Sequence, residues 1–155
     1  MKKTLIAYFT RTGITKKLAE DTAKQTGADL FAIEPVKEYS SSYLICVGQA
    51  KIENLQNARP AIKAKPQNLQ DYDTIVVMFP IWWFTCPNII LTFLEENDLS
   101  GKTIIPVCTY GSSGKGSSEK AMTKVCKNAT FKPCIEATDL KDKAVAAIAA
   151  AIKEA

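Results

Sequence analysis

Thr74-Ile75-Val76-Val77-Met78-Phe79-Pro80-Ile81-Trp82-Trp83-Phe84-Thr85 is the stretch whose reading decides the fold. It begins as a β-prone run in which five apolar residues follow Thr74 without alternation. A strand with one wet face alternates apolar and polar residues. A strand covered on both faces does not, and the unbroken run is the mark of a parallel sheet sandwiched between helices. The run then ends in a proline and three aromatic groups, at the carboxyl end of a strand. That is where open α/β sheets place their ligands.

Working outward, the same pattern recurs. Thr4 to Phe9 (TLIAYF) reads as a first buried strand. Ile14, Leu18, Ala19, Thr22 and Ala23 recur at helical spacing, and Gly27 closes that helix. Asp29 to Glu34 reads as a second strand ended by Pro35. Beyond Thr85, Pro87 opens a helix carrying Ile89, Ile90, Phe93 and Leu94. Lys102 to Cys108 is the next strand, followed by a helix with Ala121, Met122 and Val125. Phe131 to Ala137 reads as a last strand. Asp139 caps a final helix with Val145, Ile148, Ala149 and Ile152 on one face. About five strands alternate with five helices, which predicts an α/β fold with a parallel sheet and helices on both faces. Val36 to Gln70 breaks the rhythm. An irregular excursion with one helix is expected there, with Tyr39 and Tyr43 placed to cover a ligand.

The chain has 155 residues, 46% hydrophobic and 23% charged. That fits a single domain over residues 1–155 with one sizeable core. Leu5 to Phe9 is shorter than the roughly 7–15 residues of a signal-peptide core, and no cleavage site follows, so a cytoplasmic protein is expected. No apolar run approaches the roughly 20 residues of a membrane span. Histidine is absent, which excludes Ser-His-Asp and Cys-His catalysis and histidine-ligated metals. Cys46, Cys86, Cys108, Cys126 and Cys134 are scattered without a C-x-x-C, so reduced, buried thiols are expected rather than a metal site. The net charge of +4 is too small and dispersed to point to nucleic acid.

Three loops follow predicted strands. Thr10-Arg11-Thr12-Gly13-Ile14-Thr15 sets three hydroxyls and a glycine at a helix N-terminus, where unpaired N–H groups and the helix dipole favour a phosphate. It is neither a Walker A nor a G-x-G-x-x-G loop. Alone, it reads equally as an ordinary capped turn. Pro80 to Thr85 holds both tryptophans of the chain beside Phe84, which suits stacking on a planar ligand, although one tryptophan is expected in the core. Thr109-Tyr110-Gly111-Ser112-Ser113-Gly114-Lys115-Gly116 adds an aromatic group and glycines that let the backbone approach a ligand. Together the loops describe a mononucleotide with a large flat head. FMN fits best, an adenine nucleotide is possible, and nothing resembles a metal-phosphate clamp.

The segments YFTRTGIT, NARP, DYDTIVVMFPIWW and FLEENDLSGKTIIPVCTYGSSGKG, in this order, resemble the flavodoxin family, in particular its short-chain bacterial branch with a P-I-W-W loop. The resemblance implies a five-stranded parallel sheet of order 2-1-3-4-5. It implies FMN phosphate on Thr10, Arg11, Thr12, Gly13, Ile14 and Thr15. It implies the isoalloxazine ring between Pro80, Ile81, Trp82, Trp83, Phe84 and Thr85 on one side and Thr109, Tyr110, Gly111 and Gly114 on the other. The chain departs from the pattern at Ile14, where Asn or Thr is usual, at Phe84, where a small residue is usual, and in its basic charge. The first removes a side-chain hydrogen bond worth about 0.5–1.5 kcal/mol. The last predicts a less negative lowest potential and a partner with an acidic docking face.

The leading expectation is a one-electron carrier that docks weakly and transiently to a reductase and an acceptor, with no catalytic residue, metal, membrane or nucleic acid. The same fold also hosts NAD(P)H-dependent FMN oxidoreductases acting on quinones, for which Lys115, Arg59 and Arg11 are the candidate nucleotide contacts. A binding module that has lost its flavin is the third reading.

Overall fold

The computed structural model describes residues 3–110, 113–138 and 142–155. Asp139, expected to cap the last helix, lies outside them. Five positions of a parallel sheet are filled by β1 (Thr4–Tyr8), β2 (Asp29–Ala32), β3 (Thr74–Pro80), β4 (Thr103–Thr109) and a divided fifth strand, β5 (Thr130–Phe131) with β6 (Ile135–Ala137). The order is β2-β1-β3-β4-β5, with β6 also on β4. The helices are α1 (Ile14–Thr26), α2 (Tyr43–Gln56), α3 (Asn88–Glu96), α4 (Ser118–Val125) and α5 (Asp142–Glu154).

The unalternating strands are buried on both faces because their side chains divide between two cores. Leu5, Ala7, Ile75, Val77, Phe79, Ile104 and Cys108 pack on one side with Ile89, Ile90, Phe93 and Leu94 of α3 and Met122 of α4. Ile6, Tyr8, Val76, Met78, Ile105 and Val107 pack on the other with Leu18 and Ala19 of α1 and Ala144 and Ile148 of α5. The period-two alternation of a strand thus distributes an apolar run evenly between two helical layers. Gly27 ends α1 at φ 74°, with its N–H on the Ala23 carbonyl at 2.8 Å.

β4 carries Pro106 in a central strand, where a missing N–H would ordinarily break the ladder. The Thr103 N–H bonds Asp73 on the β3 side, whereas the Ile104 carbonyl accepts from Lys132 on the other. By alternation, residue 106 faces away from β3, into the gap between β5 and β6. Pro133 occupies that gap. The expected continuous strand from Phe131 to Ala137 is therefore two short pieces. The Cys134 N–H, left without a strand partner, donates to the Glu119 carboxylate of α4 at 3.0 Å.

The Val36–Gln70 excursion holds the one helix expected of it. It contains the 14-residue α2. Asn88, at the start of α3, donates from Nδ2 to the carbonyls of Glu53 and Ala58 at 3.1 and 2.8 Å, which ties the end of α2 and the residue after its cap to α3. Ile14 departs from expectation. As the first residue of α1 it is 49% exposed rather than part of the buried helix face.

Ile148 is fully buried between α5 and the sheet. Ile148→Ala should lower the unfolding free energy by about 2–4 kcal/mol through lost burial and a residual cavity. Urea denaturation followed by far-ultraviolet circular dichroism measures it.

Candidate functional site

α1 begins without a side-chain cap and without an acid in its first turn, and its N-cap Gly13 stands at φ 97°. A left-handed backbone there suits glycine. The Gly13 N–H is held by Thr10 Oγ1 at 3.0 Å. The first intrahelical bond runs from the Lys17 N–H to the Gly13 carbonyl, so the donors of Ile14, Thr15 and Lys16 project from the helix end. Thr15 is buried, and its hydroxyl is 2.9 Å from that of Thr109, which ties the start of α1 to the end of β4. Arg11 reaches from this loop to α2. Its Nη2 donates to the Ser41 carbonyl at 3.1 Å, and its guanidinium lies 5.9 Å from the Tyr43 ring centroid. Its Nε is buried without a protein partner. Burial pushes the nearby Cys46 thiol up, against the opposing pull of Arg11.

The second loop is a tight reversal. Trp82 and Thr85 exchange backbone bonds of 2.9 and 3.3 Å. Between them, Trp83 and Phe84 sit at φ 54° and 64°. Two consecutive left-handed residues define a type I′ turn, for which Asn-Gly is the favoured pair. Large side chains there are strained. The turn holds because both neighbours brace it. Trp82 packs edge-on against Phe9 and Tyr39, with centroids at 5.3 and 4.9 Å. Trp83 donates from Nε1 to the Val47 carbonyl at 2.9 Å, and Lys51 Nζ lies 4.7 Å from its ring centroid. The Phe84 carbonyl accepts from the Ser117 N–H at 2.9 Å. Gly116 permits that approach, because a Cβ on it would stand 1.8 Å from the Phe84 oxygen.

These loops enclose one cavity of about 650 Å³, within the usual range for a small-molecule site. Thr10, Arg11, Thr12, Ile14, Thr15, Pro80, Ile81, Trp82, Trp83, Phe84, Thr109 and Tyr110 all line it. Gly13, Thr85 and Gly114 do not. Gly13 shapes the helix start, and Thr85 closes the turn. Gly114 stands at φ 70° over the Glu136 carboxylate. Gly111 lies outside the described residues. Tyr43, expected to cover a ligand, does line the cavity, as does Ser113 of the third loop; the lining that sequence reasoning missed is Cys46, Val47 and Ala50 on the same face of α2. The signal was present, since 43, 46, 47 and 50 are one helical face. Tyr39 does not cover the cavity. It buttresses Trp82 from behind and donates to Glu53 at 2.6 Å.

The cations singled out for a pyridine nucleotide do not converge. Arg59 is bound to Glu95, Asn57 and Ala58, and Lys115 to Glu119. Among the described residues no group of three metal-ligating side chains exists, and no helix is long and apolar enough to cross a membrane.

Strand order, layering and the position of the cavity define a doubly wound α/β protein of flavodoxin type. The chain belongs to the flavodoxin family: the family model described as Flavodoxin matches residues 3–148. A flavoprotein candidate of known structure from Bacteroides eggerthii is 34% identical over 99% of each chain and superposes with a TM-score of 0.87. Its counterpart from Bacteroides uniformis is 33% identical over 98% of each chain, with a TM-score of 0.86. A flavoprotein from Lactobacillus acidophilus, solved in complex with FMN, shares the fold at 18% identity and a TM-score of 0.79, over 88% of this chain and 93% of that one. No curated protein matches the sequence.

Phe84→Gly should raise stability by up to about 1 kcal/mol, because relief of the left-handed strain of roughly 1–2 kcal/mol exceeds the entropy cost of glycine. Its side chain is 66% exposed, so little burial is lost. Gly116→Ala should do the reverse, lowering the thermal midpoint by several degrees and shifting tryptophan fluorescence as the turn is displaced. Thermal unfolding of the two variants, followed by fluorescence, checks both signs.

Proposed function

We propose that this chain binds FMN in the 650 Å³ cavity and serves as an electron-transfer protein. The observation that carries the reading is the division of the cavity into two unlike ends. At one end the uncapped start of α1, the hydroxyls of Thr10, Thr12 and Thr15 and the partnerless Arg11 Nε favour a phosphate. At the other, Trp82, Trp83, Phe84 and Tyr110 offer flat apolar surface. Arg11 is the one charged residue among the described lining residues, so the field favours an anion at that end and a neutral ring at the other. The residues present therefore fit FMN. The family supports this choice, as does the fold shared with a protein solved with FMN.

When bound, FMN supplies reversible acceptance of electrons. The chain's own groups bind and orient it. Thr10, Thr12, Thr15, Arg11 and the donors of α1 would hold the phosphate. Trp83 and Tyr110 would flank the ring, and Phe84 would shape the rim through which a partner approaches. No proton-transferring histidine exists in the sequence, and an electron carrier requires none. The engagement of Arg59 and Lys115 elsewhere leaves no obvious nucleotide clamp, which favours the carrier over an NAD(P)H-dependent FMN oxidoreductase. Weak docking of a reductase and an acceptor, steered by charge, follows from the carrier reading.

Purified protein mixed with FMN should retain flavin absorption through desalting and bind riboflavin, which lacks the phosphate, much more weakly. Ile14→Asn should tighten FMN binding about 3–10-fold by restoring one hydrogen bond at the phosphate loop, as read by quenching of flavin fluorescence. Reductive titration should show two separated one-electron steps. A single two-electron step would favour the oxidoreductase, and failure to retain flavin overturns the proposal. The basic charge should also leave the lowest potential less negative than that of acidic flavodoxins in a spectroelectrochemical titration.

A further inference from the structure

α2 has two faces with different fates. Tyr43, Cys46, Val47 and Ala50 turn toward the cavity. On the roughly opposite side, Leu44, Ile45, Ile52 and Leu55 are 79, 58, 56 and 72% exposed. Leu44, Gly48, Ile52 and Leu55 recur at i, i+4, i+8 and i+11, so they form one stripe, and Ile45 flanks it. Lys51, three residues after Gly48 and four before Leu55, borders the stripe. Lys51 lies over the Trp83 ring, and Glu53 turns inward to accept from Tyr39. Gln49 and Gln56 border it.

Neither backbone conformation nor space among the described residues requires glycine at position 48. Its φ is not positive, and a Cβ added there would meet nothing within 4 Å. Glycine is the least favourable residue after proline for a helix interior. Here it sits at the centre of an exposed apolar stripe, where a missing side chain allows the backbone of another helix to come close.

We propose that this stripe is the contact face of a symmetric homodimer in which the α2 helices of two copies cross at Gly48. Under a two-fold axis through that residue, Leu44 of one copy meets Ile52 of the other, four residues to either side of the crossing, so the face is self-complementary. The four large side chains leave on the order of 500 Å² of apolar surface in water, near the top of the roughly 300–600 Å² typical of the largest patch on a monomer. Homodimer interfaces are about 65% apolar, so this corresponds to roughly 800 Å² per copy, the standard size for a stable interface. A transient redox partner is steered by charge, whereas this stripe is apolar and the cation at its edge, Lys51, is drawn over the Trp83 ring. Because it faces away from the cavity, pairing through it leaves the rim at Trp83 and Phe84 open to such a partner.

Sedimentation equilibrium of the FMN-loaded full chain, from micromolar to millimolar concentration, tests the proposal. The wild type should move toward twice the monomer mass as concentration rises. Leu44→Glu combined with Leu55→Glu should weaken association at least tenfold with unchanged flavin binding. Gly48→Leu, on open helix surface, should also weaken association at least tenfold while the unfolding temperature measured in dilute solution holds or rises. That opposition separates a crossing point from a structural residue. A wild type that stays monomeric throughout overturns the proposal and assigns the stripe to a different chain. A dimer indifferent to Gly48→Leu and to the paired glutamates overturns it equally.

Discussion

β1 and β3 lie side by side, in register from Thr4 opposite Thr74 to Tyr8 opposite Met78, yet the chain leaves them toward opposite faces of the sheet. After β1 it turns into α1, which packs with Leu18 and Ala19 against one core. After β3 it turns into α3, which packs with Ile89, Ile90 and Phe93 against the other. Right-handed crossovers make this divergence unavoidable wherever strand order reverses. The crevice between the two departing loops is therefore a product of topology, and the cavity depends on that one parallel pairing. The loop after β4 reaches the same crevice because Ile81 donates to the Thr109 carbonyl at 3.0 Å, extending the ladder past the end of β3.

The crevice is shaped at a local energetic cost. A two-residue reversal with both residues left-handed would be easiest with Asn-Gly, and this chain uses Trp83-Phe84. The strain persists because neighbouring contacts over-determine the turn. The Trp82 ring is gripped by Phe9 and Tyr39, the Trp83 indole is bound to α2, and the Phe84 carbonyl is bound to Ser117 across Gly116. The aromatic walls are thus held by four separate segments, none of which is the loop itself. Such bracing keeps flat surfaces preorganised, so little ordering is left for a ligand to impose.

Residues whose roles follow from local rules were legible in the sequence. Thr74 to Phe79 announces a strand covered on both faces, and Gly27 the end of α1. The loops after β1, β3 and β4 follow from the position of ligand sites in α/β sheets. Less legible features depend on partners distant in sequence. The break of the fifth strand requires Pro106 and Pro133 to share one gap, and neither proline alone announces it. The exposure of Ile14 follows from its place at the first turn of α1, where the helical period has not yet met the core. α2 was obscured because its outer stripe of Leu44, Ile52 and Leu55 and its inner face of Cys46, Val47 and Ala50 are both apolar. A helix apolar on two sides shows a weak helical period, so YLICVGQA resembles irregular chain until the cavity beneath it is seen.

Arg11 joins the parts of the site that topology leaves separate. It starts in the loop at the head of α1 and ends on the Ser41 carbonyl and the Tyr43 ring at the start of α2. α2 in turn holds Trp83 through the Val47 carbonyl. A chain of contacts therefore runs from the head of α1, through one guanidinium and one helix, to the aromatic wall at the other end of the cavity. Its weak point is the buried Arg11 Nε, which lacks a protein partner. A buried donor of this kind is costly until an acceptor reaches it. An anion seated at the head of α1 would relieve that cost, and would thereby steady the helix on which the aromatic wall leans.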